Sequence, residues 1–277
     1  MGSTIRRLRY RGSRTALRVP LIWARHRGFG PNDVFLASFP RSGNTWLRFV
    51  LGEVLTRDSV EFESVNRIIP EVGLHGKAMA VLPGGGRLIK THELYRREYQ
   101  KVVYVVRDVR DVVLSEYSRK RQLGIELNDL DGYLPRFLRG TAMPEGAWHN
   151  HIHCWLDCPL VQDGNLLLIR FEEMRKNLED TIAKIVTFLN LNVDMQLIRE
   201  AIANNSVEMM RIKEDRTKSL EKSTREEGRF IRKGSVGGWR AQLTDAQARL
   251  IEQHTASALE RLGYPIGTPV LQPTVAG

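Results

Sequence analysis

Apolar residues gather in four short runs along the chain, DVFLASF (33–39), RLIK (87–90), KVVYVVR (101–107) and NLLLIR (165–170). They are apolar at successive rather than alternate positions, the pattern of strands covered on both faces of a parallel sheet. Three of them lead into helical spacing. Thr45 to about Leu55 carries Trp46, Phe49 and Val50; Asp111 to about Lys120 follows the third run; EEMRKNLEDTIAKIVTFLN follows the fourth and aligns Met174, Leu178, Ile182, Ile185 and Leu189. Strand–turn–helix repeated in this way predicts an α/β fold. A central, mostly parallel sheet would be flanked by helices, with ligands at the carboxyl ends of its strands. LPGGGR (82–87) reads as a loop before the second strand. From about Glu208 to Gly237 the chain is charged and poor in apolar periodicity, which predicts a long surface flap. Helical spacing resumes after Thr244, where Thr-Asp-Ala-Gln has the form of a cap, and runs through Leu250, Ile251 and Leu259.

With 277 residues, 42% of them hydrophobic, the chain is long enough for one large domain or two small ones; a single domain is set at residues 31–277 behind a basic N-terminal arm over 1–30. The formal charge of +10 predicts an anionic partner; nucleic acid, an acidic membrane and a phosphorylated small molecule all fit that sign. Part of the excess lies in Arg6, Arg7, Arg9, Arg11, Arg14, Arg18, Arg25 and Arg27. The apolar stretch among them, ALRVPLIWA, is broken by Arg18 and Pro20, too short for a signal peptide or a spanning helix. Arg6 occupies the position where a myristoylation signal needs Ser or Thr. A surface arm is the simpler reading, with peripheral membrane contact left as a secondary property and no specific nucleic-acid role. Cys154 and Cys158 make no disulfide framework, which favours a reducing, cytoplasmic setting.

The turn FPRSGNTW (39–46) joins the first strand to the first helix. It places Ser42, Gly43, Asn44 and Thr45 at a helix N-terminus, where backbone N–H groups lack partners and the dipole favours an anion. Such a turn is a phosphate cradle in kind. It is not a Walker A loop, because the spacing and the Lys-Ser/Thr pair for Mg²⁺ are absent. Lys90, Thr91 and His92 follow the second strand, where a histidine could take a proton near neutral pH. Arg107 and Ser115, eight apart across a strand end and a helix, fold toward one crevice and could share a phosphate. Asp108, Arg110 and Asp111 read as a surface pairing. Arg232, Lys233 and Gly234 add two cations and a pliable backbone within the flap.

Taken in order, these pieces resemble the sulfotransferases that use 3′-phosphoadenosine 5′-phosphosulfate (PAPS), over about Asp33 to Gln247. FPRSGNTW resembles the family's 5′-phosphosulfate loop, VVYVVRDVRDVVLS its 3′-phosphate motif, KTH its catalytic Lys-Thr-His, and FIRKGSVGGW its late Arg-Lys-Gly segment. The resemblance implies a P-loop-like nucleotide-binding fold and PAPS as co-substrate, with adenosine 3′,5′-bisphosphate (PAP) as product and no metal. It implies that Arg41 supports the sulfonate and leaving phosphate, Ser42 to Thr45 wrap the 5′-phosphate, and Trp46 stacks the adenine. Arg107, Ser115, Arg232, Lys233 and Gly234 would hold the 3′-phosphate. His92 would be the general base, with Lys90 beside the transferring group. Phe171, in FEEM, stands where the family has a tyrosine near adenine, and Asn205 with Ser206 falls near its Thr-Ser. The acceptor would be a hydroxyl or amine on a small molecule or glycan.

Some residues depart from the family pattern. Asn44 stands for a threonine, where its amide can still donate; Gly238 stands for the aspartate before Trp239; Asp245 and Arg249 break the dimer motif of the cytosolic members, which leaves the oligomeric state open. In WHNHIHCWLDC (148–158), His151, Cys154 and Cys158 share a helical face like a soft-metal site. One helix rarely closes a tetrahedron, so no metal is expected there. The family's Trp-x-x-His-x-x-x-Trp helix fits better, with Trp148 and Trp155 inward and His151 at the acceptor pocket. The alternatives are a P-loop-like nucleotide kinase and a nucleic-acid or membrane binder built on the basic arm.

Overall fold

The computed structural model describes residues 15, 18–76, 78–126, 128–217 and 234–267. Four parallel strands form its sheet: β1 (Val34–Ser38), β2 (Leu88–Thr91), β3 (Val102–Val106) and β4 (Leu166–Arg170), in the order β2-β1-β3-β4. Every residue of β1, β2 and β3 is buried, as their continuous apolar runs require, while β4 at the edge is mostly half-buried.

Alternate residues of each strand feed two separate cores. On one face Phe35, Ala37, Ile89, Val102, Tyr104 and Val106 pack with helices α4 (Val109–Gln122), α5 (Leu130–Leu138), α6 (Trp148–Leu156) and α11 (Asp245–Arg261). On the other, Val34, Leu36, Leu88, Val103, Val105 and Ile169 meet α2 (Asn44–Thr56), α8 (Leu178–Phe188) and α9 (Met195–Asn204). The molecule is therefore a three-layer α/β/α stack. Short helices α3 (Val65–Ile68) and α7 (Phe171–Lys176) complete the loops. The chain leaves β1 toward β2 and then crosses back to β3, so β1 and β3 bound the topological switch point where such sheets bind ligands.

Several details differ from the sequence expectations. The stripe from Met174 to Leu189 is broken at Asn177, whose extended backbone ends α7 and whose side chain caps α8 through the Asp180 N–H at 3.1 Å. The flap expected from about Glu208 begins as helix α10 (Val207–Arg216), and residues 218–233 lie outside the described part. The arm expected over residues 1–30 is, in its described portion, helix α1 (Arg18–His26), with Arg18, Ile22 and His26 buried. Pro20 sits in its first turn, where the missing N–H costs nothing. The cap at Thr244 forms as a capping box with Gln247.

Candidate active site

The turn after β1 is built on two residues in the left-handed region. Gly43, at φ 90°, caps α2 and turns the chain into the helix; a Cβ there would lie 2.5 Å from the Phe171 ring. Arg41 holds φ 70° without being glycine, a strain of order 1 kcal/mol or more. Arg107 compensates by donating to the Arg41 carbonyl at 3.0 Å, while Arg41 Nε donates to Ser115 Oγ at 3.0 Å. Arg41 thus ties together the two clusters that sequence spacing had placed at separate strand ends.

Arg107 is held on several sides. Its guanidinium lies 4.5 Å from the Phe171 ring centroid, donates to Ser235 O at 3.0 Å, and stands 3.9 Å from Asp111. Burial lowers its pKa, with Asp111 pulling the other way. Asp111 in turn accepts from the Gly237 and Trp239 N–H groups at 2.8 and 3.0 Å, pinning the segment beyond Gly234 against α4. Gly234 itself approaches the same Phe171 ring. A Cβ at Gly238 would come within 2.7 Å of Ser235 Oγ, so the aspartate of the family pattern would require that hydroxyl to move. Asp108 and Arg110 do pair, but in the interior rather than on the surface. Arg110 is fully buried between Asp108 at 2.7 Å and Glu252 at 2.6 Å, under the Trp239 ring.

Donors without partners converge here. Ser42 Oγ and Arg107 Nε are buried and have no hydrogen-bond partner among the described residues. Buried polar groups are seldom left so. Together with the open N-terminus of α2, they fit a phosphorylated ligand.

His92 follows β2 and is half-buried. Its Nδ1 lies 2.7 Å from the Ser38 carbonyl. A carbonyl can only accept, so Nδ1 carries the hydrogen and the Nε2 lone pair is left for a proton. Burial and then Lys90 push the His92 pKa down to about 3, against opposing pulls from Glu71 and the Ser38 carbonyl. Lys90 donates to Glu71 at 3.0 Å. Burial by itself would raise the Glu71 pKa; the Lys90 ammonium outweighs it and holds the carboxylate ionised. Ser38 and Glu71 carry no local sequence signal. Glu71 meets Lys90 only because the 71 region bridges alongside β2.

Asn44 behaves differently from its expected role. Its amide donates to Leu36 O at 3.2 Å and Ser38 Oγ at 3.1 Å, into the end of the sheet and away from the turn. At the other end of α2's first turn, Trp46 Nε1 donates to Asn205 O at 2.7 Å, so those two candidates do meet. His151 is fully buried, with Nδ1 2.8 Å from the Tyr104 hydroxyl and the Phe39 ring edge-on at 5.5 Å. It forms a floor beneath Phe39 rather than an open rim. Trp148 and Trp155 are buried beside it. Arg232 and Lys233 lie outside the described residues.

A family model described as the sulfotransferase domain matches residues 31–263. The chain belongs to the sulfotransferase family. Rat Sulfotransferase 2A6 is 29% identical over 252 residues, covering 85% of this chain and 86% of the relative. Mouse sulfotransferase SULT7A1, crystallised with PAP, superposes with a TM-score of 0.67 at 22% identity, over 87% of this chain and 89% of that one. A retinol dehydratase in complex with androsterone and PAP gives 0.66 at 20% identity, over 90% and 86%. These structural likenesses establish the shared fold. The sulfotransferase activity is sulfonate transfer, which sets aside the nucleotide kinase alternative. Among the described residues, no helix of this sulfotransferase is long and apolar enough to cross a membrane.

Proposed function

We propose that this sulfotransferase draws its sulfonate from PAPS and passes it to a hydroxyl or amine of a small molecule or glycan, releasing PAP. Arg41 carries the assignment. Through its side chain and its own carbonyl it touches both Ser115 and Arg107, so the α2 N-terminus and the Arg107 cluster form two ends of one anion site. Ser42 and the backbone N–H groups of Gly43, Asn44 and Thr45 take the 5′-phosphate end. Arg107, Ser115 and Gly234 take the 3′-phosphate, joined by Arg232 and Lys233. Trp46, Phe171 and Asn205 lie nearest the base. Asn44 contributes its backbone N–H rather than its side chain.

PAPS supplies a sulfonate on a mixed anhydride whose leaving group is a phosphate. Transfer from it spreads negative charge over the sulfonate and the departing oxygen, so fixed cations and N–H donors do most to lower the barrier. Arg41 and Lys90 are the cations on either side, and Glu71 keeps Lys90 in place. His92 Nε2 takes the acceptor's proton as the new bond forms. His151, under Phe39, shapes the acceptor side. That a related fold is seen with androsterone and PAP supports a small-molecule acceptor.

The test is incubation with PAPS or ATP over a panel of hydroxyl and amine acceptors, with products followed by mass. Sulfonated acceptor and PAP with PAPS alone are expected. ATP turnover without sulfonation would overturn the assignment.

A further inference from the structure

Helix α1 presents an unusual outer face. Arg18, Ile22 and His26 point inward, whereas Val19 is 71% and Trp23 66% exposed, and Pro20 and Ala24 are exposed beside them. A surface helix normally turns its polar residues outward; here the outer face is apolar. Beside it runs an open groove of about 400 Å³, walled by Val19, Ile22 and Trp23 on one side and Phe29 on the other. In sequence, residues 1–32 contain eight arginines and no aspartate or glutamate; Glu98, which also lines the groove, is paired with Arg18.

We propose that α1 is a docking surface for an anionic lipid bilayer, with Val19 and Trp23 entering the headgroup region and the net positive charge of the N-terminal sequence drawing the chain to its negative charge. An apolar helix face with an interfacial tryptophan and a basic surround is the form that such monotopic contacts take. A second copy of the chain is a poorer occupant, because it would bring two arginine-rich segments together. Nucleic acid would use the charge and leave Trp23 and Val19 in water.

The position of α1 gives the contact a role. Arg18 donates to Glu93 at 2.7 Å and also bonds Glu98, and Glu93 directly follows His92. His26 Nε2 accepts from the Gly73 N–H at 3.0 Å, two residues from the Glu71 that holds Lys90. Helix α1 therefore rests on both segments that flank Lys90 and His92, so docking would hold the protein by the elements next to that pair. The proposal does not depend on the identity of the donor.

Full-length protein would be sedimented with vesicles of phosphatidylcholine alone and of phosphatidylcholine with phosphatidylserine, with tryptophan emission recorded in parallel. Binding to the anionic vesicles only, a blue shift, and weakening with salt are expected. The Val19→Ser/Trp23→Ser double variant, both sites being exposed, should keep its circular dichroism and Tm while the bound fraction falls about fivefold or more; Trp23→Phe should retain most of it. Three outcomes would overturn the proposal. They are no binding to anionic vesicles, binding undiminished in the double variant, or a wild-type dimer in light scattering that the double variant abolishes. Duplex DNA captured equally by wild type and double variant, with vesicle binding equally unaffected, would reassign the surface to generic polyanion attraction.

Discussion

At the scale of single residues, His92 depends on a neighbour that pattern reading does not reach. Its place after β2 was legible from Lys-Thr-His, but its tautomer comes from the Ser38 carbonyl at the end of a different strand. Asn44 in turn holds Ser38. Burial and Lys90 push its pKa down to about 3, so the ring is a neutral acceptor that titrates well below the near-neutral range its sequence position suggests. His92→Ala should lower kcat by about a hundredfold while leaving PAP affinity within a few-fold. Stopped assays beside calorimetry would check this, and near-normal turnover would remove the base. If Arg41 supports the sulfonate as proposed, Arg41→Gln should slow transfer by about tenfold or more, since it removes the cation but keeps a donor near Ser115. An unchanged kcat would leave Arg41 with a binding role alone.

At the scale of elements, the four strands and the turn after β1 were legible because buried parallel strands and glycine-bearing turns have strong local signatures. Helix α10 was not. Its buried positions are Met210 and Lys213, one of them charged, so no apolar stripe marks it. Lys213 is buried because it donates to Glu53 at 2.9 Å and Asn205 Oδ1 at 2.8 Å, partners 160 and 8 residues away. That ion pair fastens α10 behind the Trp46–Asn205 contact. Helix α1 was missed for a related reason: its inward face is Arg18, Ile22 and His26, two of them ionisable. The turn itself can be tested. Gly43→Ala must accommodate both a φ of 90° and a Cβ 2.5 Å from Phe171, so a loss of about 1–3 kcal/mol in stability is expected. Adding Phe171→Ala should recover the steric part and leave the backbone part; thermal melts of both variants would show it. Full stability in Gly43→Ala would mean that the turn is not under this constraint.

At the scale of the whole molecule, two histidines with depressed pKa, His26 and His92, link folding to pH. Burial, followed by Arg87, pushes the His26 pKa down to about 4, and the Gly73 N–H needs its neutral ring. With unfolded histidine near pKa ~6.5, the unfolded chain binds more protons below that pH. Stability from His26 and His92 is therefore complete above it and is lost as pH falls toward their folded values. The Tm should drop steadily on acidification through this window, and His26→Gln should flatten the drop; a flat Tm in wild type would contradict the linkage. The layered α/β architecture followed from the strand–turn–helix pattern, while the union of the two anion clusters came only from the family resemblance, because no local pattern shows Arg41 reaching Ser115 across 74 positions. That union is the central claim, and calorimetric titration with PAP, 5′-AMP and adenosine 3′-phosphate tests it most directly. PAP should bind at one site, and loss of either phosphate should weaken it by about tenfold or more. Equal affinity for PAP and 5′-AMP would show that the Arg107–Ser115 end holds no phosphate.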